Sequence, residues 1–196
     1  MSRLILASAS PRRQSLLREA GYEFDVKPAD IDESAHFPAL RPTELAKHLA
    51  LTKAQAIAQH HPDDVVLAAD TLVTFGERIL GKPADADHAK KMLQLLAGTT
   101  HLVITGVAVV RIAENLAKTS RVISAVKMRA LNDEEIDRYV ASKQWEGKAG
   151  GYGIQDDDPF VTRMTGSHSN IVGLPMEETQ WLLAEAGIHP ARHAAG

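Results

Sequence analysis

The chain has no cysteine. That excludes disulfides, thiolate metal sites and cysteine nucleophiles, and it agrees with a reducing compartment. Excess charge is also scarce. A formal net charge of −3 provides no global field to draw the chain to nucleic acid or to an anionic membrane. Any anion it binds must be held by a local cluster of cations. No apolar stretch approaches a membrane span, and Arg3 is followed by only four apolar residues rather than a signal-peptide core. The expectation is a cytoplasmic protein without a nucleic-acid or membrane partner. A GxSxG elbow, a Walker loop and an HExxH motif are all missing.

What is present is ordinary in bulk. The 196 residues are 44% hydrophobic and 24% charged, which suits one domain or two tightly joined lobes. Short apolar runs over 4–7 and 65–69 read as buried strands. Residues 22–26 read as a further strand, and 145–155 as a glycine-rich loop and strand. The 65–69 run ends at Asp70-Thr71, which places an acid at the carboxyl end of a strand, and 72–75 continues extended to a turn at Gly76-Glu77. Helical patterns cover 11–20, 43–60, 85–96, 175–186 and a segment ending at Ala141. Asn132 with Glu135 forms a capping-box pattern before that last segment. Residues 102–112 and 119–130 read as a hairpin around Glu114-Asn115. Residues 189–196 read as a frayed tail. Helices interleaved with strands predict an α/β fold with a mixed central sheet and flanking helices, in a single domain over 1–196.

The segment from Arg3 to Arg13 carries the most chemistry. Its apolar run stops at Ser8-Ala9-Ser10. Ser10 reads as an N-cap and Pro11 as the first helical residue. Arg12 and Arg13 then fall in the first turn, where the helix dipole disfavours cations. An anion between them and the free backbone N–H groups resolves the conflict. Two solvated arginines on a surface helix also fit this segment taken alone.

Other stretches could join that site. Asp70 follows a buried strand, and strand carboxyl ends are where open α/β sheets bind ligands. A turn-capping aspartate is the plainer alternative. Lys53, Lys82 and Lys148 stand in short polar contexts, Lys82 between Gly81 and Pro83. The polar stretch 27–42 carries Asp30, Asp32 and Glu33 on what reads as a surface loop. Gly150-Gly151-Tyr152-Gly153-Ile154-Gln155 permits close backbone approach and ends on a side chain suited to reading a base edge. The run Asp156-Asp157-Asp158 reads most simply as a solvated turn.

Five blocks, in order and at matching spacing, resemble the Maf family: Ser8-Ala9-Ser10-Pro11-Arg12-Arg13, Ala69-Asp70-Thr71, Gly81-Lys82-Pro83, Gly150 to Gln155, and Gly166-Ser167 through Val172-Gly173-Leu174-Pro175. The resemblance implies a nucleoside triphosphate pyrophosphatase in an elongated, two-lobed fold with a central cleft, similar to house-cleaning inosine triphosphatases. It implies a divalent cation, Mg²⁺ or Mn²⁺, and a tendency to homodimers. Arg12, Thr71 and Gln155 match the branch that takes dTTP and UTP. The sister branch takes 7-methyl-GTP and carries tryptophan, glutamine and glutamate at these places. One position departs from the pattern: the family usually has glycine after the glutamine, and this chain has Asp156.

By the same resemblance Asp70 is the proton acceptor or water-orienting residue, and Glu33 and Asp70 are the metal-holding acids. Ser8, Ser10, Arg12, Arg13, Lys53 and Lys82 would bind the triphosphate. Arg12, Thr71 and Gln155 would select the base. A carboxylate is a weak base towards bulk water, so proton acceptor and metal ligand remain overlapping roles for Asp70. The family's association with septum formation leaves a nucleotide-binding regulator as an alternative, and cleaning of modified pyrimidine nucleotides as another.

Overall fold

The computed structural model describes residues 2–31, 40–156 and 160–191. One mixed sheet organises them. Its strands are β1 (Leu4–Leu6), β2 (Asp25–Val26), β3 (Val65–Phe75), β4 (Arg78–Leu80), β5 (Thr100–Arg111), β6 (Leu116–Met128) and β7 (Val161–Thr165). The order is β2-β1-β3-β5-β6-β7, with β4 also paired to β3. The β2, β1 and β3 strands run parallel, and all other pairings are antiparallel. The helices are α1 (Pro11–Glu19), α2 (Pro42–Ala58), α3 (Ala86–Leu96), α4 (Asp133–Ala141), α5 (His168–Val172) and α6 (Met176–Glu185).

Composition explains the layering. Residues 65–70 of β3 are all buried, as expected of a strand covered on both faces. The first half of β6 instead alternates between half-buried and exposed residues, so one of its faces meets solvent. Apolar side chains from β1, β3, β5, α1 and α6 form one core, which includes Leu6, Leu17, Leu67, Val107 and Leu182. A second core, with Leu93, Met128, Ile136 and Phe160, lies among α3, α4 and the sheet. The expected mixed α/β architecture is therefore present.

The buried face of α2 repeats Ala46, Leu49, Ala50, Lys53 and Ala54 at helical spacing. It packs on β5 with almost no gap. A Cβ on Gly106 would lie 2.2 Å from the Ala46 carbonyl oxygen and 2.5 Å from the Lys47 amide nitrogen. Only glycine lets the helix backbone come this close to the strand. Lys53, two turns beyond Ala46, is carried by that contact to the sheet surface.

Several boundaries differ from the sequence reading. The strand begun by 65–69 does not end at Asp70; it runs unbroken to Phe75, because β5 pairs with it over Val66 to Thr74. The 22–26 strand shrinks to Asp25–Val26, the part that reaches β1. Residues 145–155 hold no strand; glycines with left-handed backbone at 147, 150 and 151 turn the chain through a short 3-10 segment, Ala149–Gly151. Strand β7 and helix α5 were not anticipated. The Asn132–Glu135 capping box forms as expected, with both reciprocal hydrogen bonds at 2.9 Å.

Candidate active site

The end of β1 opens the site. Its last pair is Leu6 with Leu67, and the Ala7 N–H still donates to the Leu67 carbonyl at 2.8 Å. Beyond it the chain leaves the sheet for the Ser8–Ser10 turn and α1. On the same side of β3, strand β4 begins only opposite Val73. Asp70 and Thr71 occupy the gap, with β5 on their other flank. The expectation of an acid at a strand's carboxyl end thus holds in modified form: Asp70 lies past the end of the parallel pair, inside a longer strand.

Adjacent strand residues point to opposite faces. Asp70 faces α2. Its Oδ1 lies 2.6 Å from Lys53 Nζ, and both side chains are 9% exposed. The buried Oδ2 has no hydrogen-bond partner among the described residues. A buried carboxylate oxygen without a partner is costly in a resting fold, so it marks a place built for a ligand.

Thr71 faces α1 and α5. Its Oγ1 accepts from Arg13 Nη2 at 3.1 Å and lies 3.0 Å from Thr105 Oγ1. Thr105 donates in turn to the Asn170 carbonyl at 3.1 Å. Thr71 Oγ1 also lies 3.5 Å from the Gly173 carbonyl, so its one proton serves either that oxygen or Thr105. Arg13 also donates to Ser8 Oγ at 3.0 Å and to the Gly173 carbonyl at 2.8 Å. One guanidinium thereby ties the first motif, the strand acid's neighbour and the last motif together. Arg12 differs: it lines the cleft with no hydrogen bond or ion pair among the described residues.

The opposite wall comes from two loops. The Gly150 N–H donates to the Gly81 carbonyl at 3.0 Å, joining the Lys82 loop to the glycine-rich segment. Gly150, at φ +73°, rests on Val73, where a Cβ would come within 3.2 Å. Beneath them His101 Nε2 lies 2.5 Å from Tyr152 Oη, with the two rings edge to face. Burial holds His101 down at about 4 and raises the Tyr152 phenol. The cleft between these walls has a volume of about 660 Å³. Among the described residues, five cations (Arg12, Arg13, Lys53, Lys82 and Lys148) and three acids (Asp70, Glu146 and Asp156) line it. Among these described residues cations outnumber acids, although the chain as a whole is negative.

Residues 3–186 match the profile of the Maf-like protein family. This chain belongs to the Maf family. It is 50% identical over 194 residues to the dTTP/UTP pyrophosphatase of Cereibacter sphaeroides, covering 98% of this chain and 99% of that protein. It is 47% identical over 191 residues to the dTTP/UTP pyrophosphatase of Rhodospirillum rubrum, covering 96% and 90%. A Ham1 protein from Coxiella burnetii shares the fold, with a TM-score of 0.53 and 19% identity over 94% of this chain and 100% of that one.

The Maf cleft gathers most of the residues singled out in the sequence. Ser8, Ser10, Arg12, Arg13, Lys53, Asp70, Thr71, Lys82 and Gln155 all line it. Ser10 is the N-cap residue of α1, yet its hydroxyl caps nothing; its N–H donates to Ser8 Oγ at 3.3 Å instead. Gln155 is exposed on the rim. Glu33 lies outside the described residues, as do Asp157 and Asp158. Sequence reasoning missed Thr105, Asn170 and the Gly173 carbonyl, which hold Thr71 and Arg13 in place. The Gly166-to-Pro175 block was a signal for the last two; Thr105 in a strand gave none.

The open Asp70 Oδ2 fits one contact to a hard divalent cation such as Mg²⁺ or Mn²⁺, which takes oxygen ligands and completes its shell with water and substrate. Among the described residues there is no group of three or more side chains that could hold a metal alone. Also among them, no helix is long and apolar enough to cross a membrane.

Proposed function

We propose that this Maf-family hydrolase converts dTTP and UTP to the monophosphate and pyrophosphate. The observation that carries the reading is the buried Asp70 carboxylate, one oxygen paired with Lys53 and the other without a partner among the described residues, in a cleft whose described lining carries five cations and three acids. The names of the relatives that are 45–50% identical support the pyrimidine substrates.

A triphosphate brings about four negative charges at neutral pH, and catalysis of its cleavage rests on positioning and charge stabilisation. Arg12 and Lys82 neutralise the phosphates. The first-turn N–H groups of α1 and the Ser8 and Ser10 hydroxyls add fixed donors. Arg13 keeps that turn and Thr71 in register. Asp70 orients a water towards the α-phosphorus and accepts its proton on the open oxygen. As the water oxygen bonds to that phosphorus, the α–β bridging oxygen leaves with pyrophosphate. Lys53 holds the carboxylate in place. Asp70, with Glu33, would hold the divalent cation. When bound, the cation supplies charge neutralisation and a more acidic water. Thr71, Arg12 and Gln155 select the base; the Gln155 amide meets the alternating acceptor and donor edge of thymine or uracil. A cytoplasmic location and a homodimer belong to the same reading, and sizing in solution tests the dimer.

The decisive experiment is pyrophosphate release from dTTP, UTP, 7-methyl-GTP and the purine triphosphates, with Mg²⁺ or Mn²⁺. The expected result is preferred turnover of dTTP and UTP, each yielding a monophosphate. Preference for 7-methyl-GTP overturns the substrate assignment. Tight nucleotide binding without turnover overturns the enzyme in favour of a regulator.

A further inference from the structure

Asp156 was expected to be a solvated turn residue, yet its carboxylate is 9% exposed and fully engaged. Oδ1 is ion-paired with Lys148 Nζ. Oδ2 accepts from Tyr139 Oη at 2.5 Å and from the Gly153 N–H at 2.8 Å. The Asp156 N–H returns a weak hydrogen bond to the Gly153 carbonyl at 3.4 Å. The packing is tight enough that a Cβ on Gly153 would lie 2.9 Å from both Asp156 Oδ1 and Lys148 Nζ. Tyr139 is itself anchored: it sits on α4, is buried, and stacks edge to face on Phe160 at 4.9 Å. Burial first, and then the hydrogen bond to Asp156, raise its phenol far above the ordinary tyrosine range. It therefore stays a donor.

These contacts have two effects on the cleft. They close residues 153–156 into a small ring on the cleft wall, in which Gln155 is the one exposed residue. They also compensate Lys148, which otherwise would add a mobile cation to the same wall. We infer that Asp156 is a positioning residue for base recognition, fastening the Gly153–Gln155 segment and the Lys148 ammonium to Tyr139 as one unit. Asp156 touches no substrate; it acts through where Gln155 stands. The inference rests on the pyrimidine-triphosphatase reading for its substrate, but the fastening itself does not.

The test compares the wild type with Asp156→Gly and Asp156→Asn, full chain in each case. Three quantities are read: amide hydrogen exchange without nucleotide, steady-state kinetics on dTTP and dGTP, and thermal unfolding. In Asp156→Gly, exchange over 148–155 should speed up about tenfold while β3 and α2 stay protected, as expected for a local opening. KM for dTTP should rise about tenfold with kcat within about threefold, and the preference for dTTP over dGTP should fall about tenfold. Asp156→Asn keeps an acceptor for Gly153 and Tyr139 but turns an NH2 towards Lys148 and no longer compensates its charge, so it should recover most of the loop protection and only part of the preference. Unchanged exchange over 148–155 in Asp156→Gly overturns the fastening. Faster exchange with unchanged KM and preference overturns the role in recognition. A fall in kcat that tracks a lower unfolding temperature marks a purely structural residue and also overturns it. If the wild type turns over no nucleoside triphosphate, the functional reading fails and takes the recognition role with it, while exchange still decides whether Asp156 fastens the loop.

Discussion

Lys53 and Asp70 meet at 2.6 Å, one from the buried face of α2 and the other from the middle of β3, and only one of the two Asp70 oxygens takes part. The pair satisfies one carboxylate oxygen and leaves the other, also buried, without a partner among the described residues. Asp70→Asn keeps an oxygen for Lys53 and removes the proton acceptor. Steady-state kinetics on dTTP should show kcat lower by about 10²- to 10⁴-fold, far more than the accompanying fall in thermal midpoint, which follows because the buried Lys53 ammonium loses its counter-charge. A loss under threefold would remove Asp70 from the mechanism.

Lys53→Ala leaves the Asp70 carboxylate buried beside an empty space. Removing one partner of a buried ion pair strands the other, so the expected loss of stability is about 3 kcal/mol, read by denaturant unfolding. A near-neutral result would mean that water reaches the carboxylate as freely as the ammonium does.

The two arginines of α1 should separate cleanly. Arg12→Ala removes a cation that no described residue holds, so kcat/KM should fall at least about tenfold, or 1.4 kcal/mol, without a change in melting temperature. Arg13→Ala cuts donors to Ser8, Thr71 and Gly173, so it should lower both activity and melting temperature. Matching melts for the two variants would contradict the division of labour.

Gly106→Ala forces α2 off the sheet, because the new methyl would meet the Ala46 carbonyl at 2.2 Å. Overpacking of this kind costs about 3 kcal/mol or more. Lys53 rides on the displaced helix, so activity should fall further than the unfolded fraction explains. Activity measured well below the unfolding midpoint separates the two effects.

Acid should weaken the fold through His101, which is 1% exposed and held at about 4. Above pH 6.5 neither folded nor unfolded chain binds its proton, and this contribution to stability is complete. As pH falls from 6.5 towards 4 the unfolded chain takes up a proton that the fold refuses, so stability declines by about 3 kcal/mol. His101→Gln still offers Tyr152 a partner and should flatten that part of the pH–stability curve. An unchanged curve would place the acid sensitivity elsewhere.

Much of the site could be read from residue order alone. The proline-opened helix, Asp70, the Gly81-Lys82-Pro83 loop and the glycine-rich block each carry a local signal, and the fold brings all of them to one cleft. The α/β class followed from alternating patterns, and the capping box at Asn132 from two residues. What stayed hidden depends on long-range geometry. The extended patterns at 65–69 and 72–75 do not show that one strand runs through Asp70, since its pairing with Gly106 is made by a partner 36 positions away. The ties of Arg13 to Thr71 and Gly173 span 58 and 160 positions, so its hold on the last motif could not be read from residue order beside its expected phosphate contact. Asp156 looked like a solvated turn because Tyr139 and Lys148 reach it only after the loop has folded back.

The unbroken course of β3 through Asp70 and Thr71 has an evolutionary corollary. Neighbours on one strand, turned to opposite faces, cannot drift apart or rotate independently. The proposed acid and the proposed selectivity threonine are thus gauged against each other by the backbone itself. A replacement at Thr71, such as the glutamine of the sister branch, is then felt by the proposed reacting centre one residue away, whereas a change at the outer rim, around Gln155 and Asp156, reaches it only through the loop.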